Sequence, residues 1–365
     1  MHTDSHPLRT GGLSLTKRIG MVLTFLITFS LVYWFSKDGN PWAVDPAGVA
    51  LTEPFEVVDA VVPVAALRDV QIAPDEERWN ALREAWGAFA PLYIEDVLQL
   101  GPVDVDTTFA ALVRFAQHPD IAATFDAIDT TSGRATAAAA EQLERSFRRF
   151  HHHFPEEPVP TVVWMNSAFN YAVFPTPDHL AVGLDWFLGR DHPIVGRLAP
   201  EVFPGYLRDR MDPEFLAADA LRGWLLVHFA ERYHRTETCA DELLFWGKVL
   251  FVMDQLAPEL DDRLWMDWSA DQMAWAVENE RAVWLELQPQ SILFERDFGR
   301  YNRWFVEGPF TRAADIPQNS PDRLGAWMGY RIVADYMADH PELSLRDLLE
   351  TKDVTPVLKA YRPDR

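Results

Sequence analysis

The feature that most constrains this chain is an apolar run over residues 19–35, interrupted only by Gly20, Thr24, Thr28 and Ser30. Seventeen residues in a helix rise about 25 Å, just enough for a bilayer core. Arg9, Lys17 and Arg18 precede the run, whereas only Lys37 and Asp38 come closely after it. The excess of positive charge on the N-terminal side keeps residues 1–18 in the cytoplasm and sends everything after the run outward. Tyr33 and Trp34 stand where interfacial aromatic anchors belong. A cleaved signal peptide would have a shorter apolar core ending in small residues, yet this run exits through Tyr33-Trp34-Phe35-Ser36-Lys37. The organisation expected is a cytoplasmic tail (1–18), a single transmembrane anchor (19–36), a linker (37–69) and one domain (70–365).

Residues 1–40 carry four basic and two acidic side chains; the whole chain is −22, so residues 41–365 hold −24. A body so acidic repels phosphate backbones, which excludes nucleic acid as a partner. Hydrophobic residues at 48% and charged residues at 24% are ordinary for a folded domain. Cys239 is the only cysteine, so an internal disulfide, a thiolate zinc site and an N-terminal lipid-bearing cysteine are all excluded.

Past a Pro-punctuated stretch, apolar residues from Ile72 onward recur at helical steps, with Trp79, Leu82, Ala85, Trp86 and Phe89 on one face. Further helices are predicted over 107–118, 119–128 and 135–152. The period then changes. Residues 159–164, 171–174 and 179–184 are short, β-rich and bounded by Pro and Asn, and read as one small antiparallel sheet. Helices return over 213–235, 240–256, 269–287, 321–339 and 344–350. The class is α+β, mostly helical.

The helix after the sheet ends in Ala230-Glu231-Arg232-Tyr233-His234. A zinc-peptidase helix needs His-Glu-x-x-His, since histidines four apart share a face and the Glu between them activates the bound water. Here Glu231, as general base, and His234, as ligand, are kept, and Ala230 occupies the first ligand position. His228 is no substitute: six residues from His234, it diverges by about 120° and lies about 9 Å along the axis. The plain alternative pairs Glu231 with Arg235 and sets His234 at the helix end. His151, His152 and His153 point about 100° apart and cannot chelate one ion together. Glu278 and Glu280, two apart, face different ways; one is expected to be buried and hydrogen-bonded, the other solvated. Ser167 and Ser320 lack the context of a nucleophile elbow.

Several local patterns occur in sequence: Phe154-Pro155 with Pro160; Ala168-Phe169-Asn170; Val182-Gly183-Leu184-Asp185-Trp186-Phe187-Leu188-Gly189; and Pro204-Gly205-Tyr206. Then come Gly247-Lys248-Val249-Leu250-Phe251 with Asp254, Trp275 with Asn279-Glu280 and Trp284, and Pro309-Phe310-Thr311. Last are Ser320-Pro321-Asp322-Arg323-Leu324-Gly325-Ala326-Trp327-Met328-Gly329, Ile332-Val333, Tyr336-Met337 and Tyr361-Arg362-Pro363. Together they resemble the gliding motility lipoprotein GldB family over about residues 70–363. The resemblance implies an envelope protein facing away from the cytoplasm and associated with motility and secretion machinery. It also implies a distant likeness to zincin-like zinc peptidases, whose next helix carries a Glu-Gly ligand motif; here Trp246-Gly247 stands at that place. The anchor departs from the family, with a transmembrane helix in place of a lipidated cysteine.

The function expected is a non-catalytic accessory protein of the bacterial inner membrane, its domain in the periplasm with a degenerate zincin-type site and an envelope protein as partner. No cofactor is expected, and zinc is the one metal the site could hold. The first alternative is a periplasmic zinc-dependent metallopeptidase with a rearranged metal site. The second is a soluble exported protein whose acidic face takes cationic ligands. On cell fractionation the mature chain should stay with the inner membrane; recovery of it free of the membrane would contradict the anchor.

Overall fold

The computed structural model describes residues 39–363 apart from 236 and 314. The expected anchor over 19–36 lies outside the described residues. Among those described, no helix is long and apolar enough to cross a membrane. The chain divides into two units, Met1–Ala43 and Val44–Arg365. In the first, Asn40 closes a turn by accepting from the Trp42 amide at 2.9 Å. The second carries the sheet and the helices.

The sheet has four strands: β1 (Val57–Asp59), β2 (Thr161–Met165), β3 (Val173–Pro175) and β4 (His179–Gly183), in the order β1-β2-β4-β3. β2 and β4 are the central pair, each with four of its five residues buried. Burial on both faces suits their continuous apolar character. The sheet is mixed, which corrects the antiparallel expectation. β2 runs parallel to both β1 and β4, with Val163 opposite Val58 and Ala181; only β3 and β4 pair antiparallel. The physical reason is connectivity. The chain leaves β2, returns as β3 on the outer edge, and turns again into β4, which slots between them. The three apolar runs mark β2, β3 and β4, whereas β1 lies in the stretch expected as linker, and neither β1 nor the strand order is visible in such runs. Pro175 sits on the edge strand, where a missing amide costs nothing.

The stretch before Ile72 contributes to the body as well. It supplies β1 and a short helix, Val61–Ala65, which buries Val61 and Val64.

The helices that position the site begin with α1 (Glu76–Trp86), capped by Asp75 and closed by Gly87 at φ +53°. α2 (Asp106–Gln117) and α3 (Pro119–Thr131) lead to α4 (Gly133–His153). α5 (Leu216–Tyr233) runs against the sheet edge: a Cβ on Gly223 would stand 3.1 Å from Val173 Cγ1. Trp224 on α5 meets Phe147 and Phe150 of α4 edge-on, at 5.1 and 5.0 Å between ring centres. α6 (Cys239–Leu256) is buried nearly all round, as expected of a helix at the centre of a large core.

The predicted helix over 269–287 is two helices, α7 (Ala270–Glu278) and α8 (Glu280–Leu287). Asn279 between them donates its side-chain amide to the Trp275 carbonyl at 2.8 Å, offering the chain a local alternative to helix. The helix predicted from 321 begins later, as α9 (Leu324–Asp339), because Arg323 before it is left-handed at φ +51°. α10 (Leu345–Glu350) and α11 (Val354–Ala360) complete the body.

α6 and α9 cross at a pair of glycines. A Cβ on Gly247 would lie 2.2 Å from the Gly329 carbonyl oxygen, and one on Gly329 would lie 2.2 Å from the Leu243 carbonyl oxygen. These glycines therefore serve backbone packing. Gly329→Ala should destabilise the protein by roughly 2 kcal/mol or more, since neither backbone can yield. Gly133→Ala, with nothing within 4 Å of the added carbon, should stay within about 0.5 kcal/mol of wild type. Denaturant midpoints of the two variants compare them.

Candidate functional site

On α5, Asp219, Arg222, Gly223 and Leu226 recur at three- and four-residue steps and line a cleft of about 530 Å³. Its walls are apolar and aromatic, among them Val173, Trp186, Phe187, Met211 and Phe305. Its floor is charged. A cavity with apolar walls and a few convergent polar groups is the feature of a fold best suited to a ligand.

The floor is built from three places in the chain. Arg222 grips Asp267 with both terminal nitrogens, at 2.8 and 2.9 Å, and also donates to Asp219 at 3.0 Å and to the Trp265 carbonyl at 2.7 Å. Arg323, ahead of α9, donates to the same Asp267 at 2.9 Å and to the Met266 carbonyl. Its neighbour Asp322, fully buried, accepts from Arg210 at 2.8 Å, from the Trp268 indole at 3.1 Å and from the Gly308 amide at 3.0 Å.

Burial disfavours ionisation of Asp267, but Arg222 and Arg323 outweigh it and hold its carboxyl well below the usual range. Asp322 is likewise held down, against its burial, by Arg323 and Arg210. Asp219 goes the other way. Burial and then the neighbouring Asp267 charge push it well above the usual carboxylate range, and it hydrogen-bonds to Asp267. The floor thus combines three arginines, two aspartates that they hold ionised, and a third whose ionisation burial and Asp267 oppose.

A fourth buried aspartate shapes the cleft wall. Asp185 accepts from the Ser167 amide at 2.9 Å, the Ser167 hydroxyl at 3.0 Å and the Phe169 amide. Burial lifts it to about 6 although these bonds pull it down. It holds a turn in which Ala168 and Phe169 are both left-handed, at φ +55° and +60°. That turn delivers Asn170 and Tyr171 to the cleft.

Glu231 and His234 lie elsewhere. Glu231 is twelve residues beyond Asp219, about 18 Å along α5. It is exposed and makes no ion pair among the described residues. α5 ends at Tyr233, so Arg235 falls beyond the helix. The His234 amide caps Ala230, while its ring places Nε2 2.7 Å from Glu242 Oε2 on α6 and stacks on Phe245 at 4.2 Å. His228 stacks on Trp224 at 4.3 Å and pairs with Glu157 at 3.4 Å. His151, at the end of α4, meets Thr52 at 3.3 Å. The residues present do not fit zinc: among the described residues no three His, Cys, Asp or Glu side chains converge to hold a metal ion. Of the two other glutamates considered, Glu280 is buried and accepts from Tyr361 at 2.8 Å and Arg331 at 3.1 Å, whereas Glu278 is exposed.

Sequence reasoning missed the floor. The signal was present in Asp219-x-x-Arg222, charges set inside an otherwise apolar helix, and in Pro321-Asp322-Arg323, charges at the head of another.

The family described as gliding motility protein GldB matches residues 61–363, and the chain belongs to it. No curated protein and no solved structure matches the chain.

The two acids at α5 should respond oppositely to neutralisation. Asp267→Asn strips two buried arginines of their shared counter-ion and should cost about 3–5 kcal/mol. Asp219→Asn removes a charge that burial and the Asp267 carboxylate already oppose, and should fold normally. A buried acid with a raised pKa stabilises fully below its unfolded value, and that stability falls as pH rises toward its folded one. Relative to wild type, Asp219→Asn should therefore gain stability as pH rises above the ordinary carboxylate range, as read by thermal melts in acidic and in neutral buffer.

Proposed function

We propose, from the chain's membership of the gliding motility protein GldB family, that it is an envelope accessory protein that acts by binding and not by catalysis. In this reading residues 19–36 anchor it in the inner membrane and the body lies in the periplasm, where it engages another envelope component.

One observation carries the binding reading. The polar floor of the cleft is locked in ion pairs, with each ionised aspartate held by two arginines. A carboxylate so engaged, and depressed by its partners, is a poor proton acceptor near neutral pH. The end of α5, where a zincin would place its chemistry, supports the same reading. His234 is committed to Glu242, and Ala230 offers no donor. The helix end is then a degenerate zincin-type site, and the cleft carries the function.

Complementation tests this in the host lacking its own copy. Glu231→Ala and His234→Ala, singly and together, should restore gliding or secretion to the level of the wild-type chain. Loss of the phenotype in both, with the protein folded and abundant, would contradict a binding role and return the function to the helix end.

A further inference from the structure

A second pocket, of about 80 Å³, shares no lining residue with the cleft. Three elements build it. The end of α5 brings Arg232, and Arg235 follows just past the helix. Asp241 and Lys248, seven apart, stand on one face of α6, and Lys352 comes from the chain after α10. Residues 41–365 contain only three lysines, and two of them converge here.

Lys248 separates this pocket from an ordinary basic patch. Of the buried cations described, Arg149, Arg210 and Arg323 each hold a carboxylate. Lys248 is 3% exposed, yet among the described residues it pairs with none. Its Nζ donates to the Leu349 carbonyl at 2.9 Å and to the Thr351 carbonyl. Both residues line the pocket, so the ammonium is fixed at the pocket wall. An ammonium has three donors, and among the described residues the third meets no acceptor. Burial and then Arg235 push the amine down, to about 8; Asp241 opposes this and Lys352 adds to it. Arg235 and Lys352 are thus near enough to act on that charge, and both are exposed and outside any ion pair among the described residues. A buried charge without a counter-charge is costly. An anion in the pocket would supply the partner that the chain does not.

Charge and size narrow the class. Four cations line the pocket against Asp241, and Glu157 holds Arg232 at 2.7 Å, so two positive charges stay uncovered. Other acids nearby in sequence do not cover them. Glu231, Glu237 and Glu350 are exposed and outside the lining, and Glu242 is engaged by the His234 ring and the Trp246 indole. The pocket is far smaller than the several hundred Å³ of a drug-sized ligand's site, so the occupant is compact. Lysine and arginine donors on a compact double negative charge suit phosphate oxygens.

We propose that this pocket binds a phosphate dianion, free or as a phosphomonoester headgroup, held by Lys248, Arg235 and Lys352 between the ends of α5 and α10. The site is separate from the cleft and goes beyond the binding reading given above.

The test is titration calorimetry of inorganic phosphate into the full chain in phosphatidylcholine nanodiscs. Phosphate should bind saturably, one per chain, and nitrate, with a single charge, should not compete. Arg235→Gln and Lys352→Gln remove exposed, unpaired charges and should leave the fold intact by circular dichroism. Each should weaken phosphate about fivefold or more. Lys248→Met should abolish binding. Arg134→Gln, which removes an exposed charge outside the lining, should leave the affinity unchanged. Phosphatidic acid added to the discs separates the two sources, since a headgroup in the pocket would block free phosphate and an unaffected titration marks free phosphate as the ligand. No saturable binding at millimolar phosphate, equal competition by nitrate, unchanged affinity in both Arg235→Gln and Lys352→Gln, or equal weakening in Arg134→Gln would overturn the assignment.

Discussion

The carboxylate of Asp267, clasped between Arg222 and Arg323, joins three parts of the body that are distant in sequence: the middle of α5, the turn before α7 and the start of α9. Both ends of the Asp267–Arg323 pair stand on left-handed backbone, at φ +54° and +51°. For residues with a Cβ that conformation costs of order 1 kcal/mol or more each, and it persists only where the surroundings over-determine it. Here they do. Arg323 also pairs with Asp322, whose other oxygen takes the Trp268 indole, so the two strained turns are tied to each other twice. Three guanidinium groups taken out of water are tolerated because each finds an aspartate, and removal of Asp267 or Asp322 leaves an uncompensated charge.

The same network explains why the cleft exists. Hydrophobic packing alone would close the space between α5 and the start of α9, as α6 and α9 close on each other at Gly247 and Gly329. A charged floor cannot be covered by apolar side chains without losing its partners, and the Asp185 turn props the opposite wall. Close glycine packing fixes the helices on one side of the core, and buried ion pairs hold an opening on the other.

Much of the helical framework was legible because it rests on periodicity. α4, α5, α6 and α10 lie within a few residues of where their apolar steps end, and the contrast between Glu278 and Glu280 agrees with their opposite faces. The rest depended on information that periodicity lacks. The mixed sheet reflects which strand inserts between two others, and short apolar runs are silent on that. The break at Asn279 and the late start of α9 arise from single side chains competing with helix. The cleft was illegible for a different reason: Arg210, Arg222, Asp267 and Asp322 are far apart in sequence, and each alone resembles a solvated charge. Glu231 and His234 stand out instead, because their spacing matches a known chemistry, although neither lines the cleft, whose last lining residue on α5 is Leu226.

The function we propose therefore rests on an ion-paired cleft at the middle of α5 and not on the metal-like motif at its end. Elemental mass spectrometry of the full chain, purified without chelators or a histidine tag, tests this most directly beside the His234→Ala variant. Metal content below stoichiometric and identical in the two proteins is the result expected. One zinc per chain, lost in His234→Ala, would contradict the assignment and place the chemistry back at the helix end.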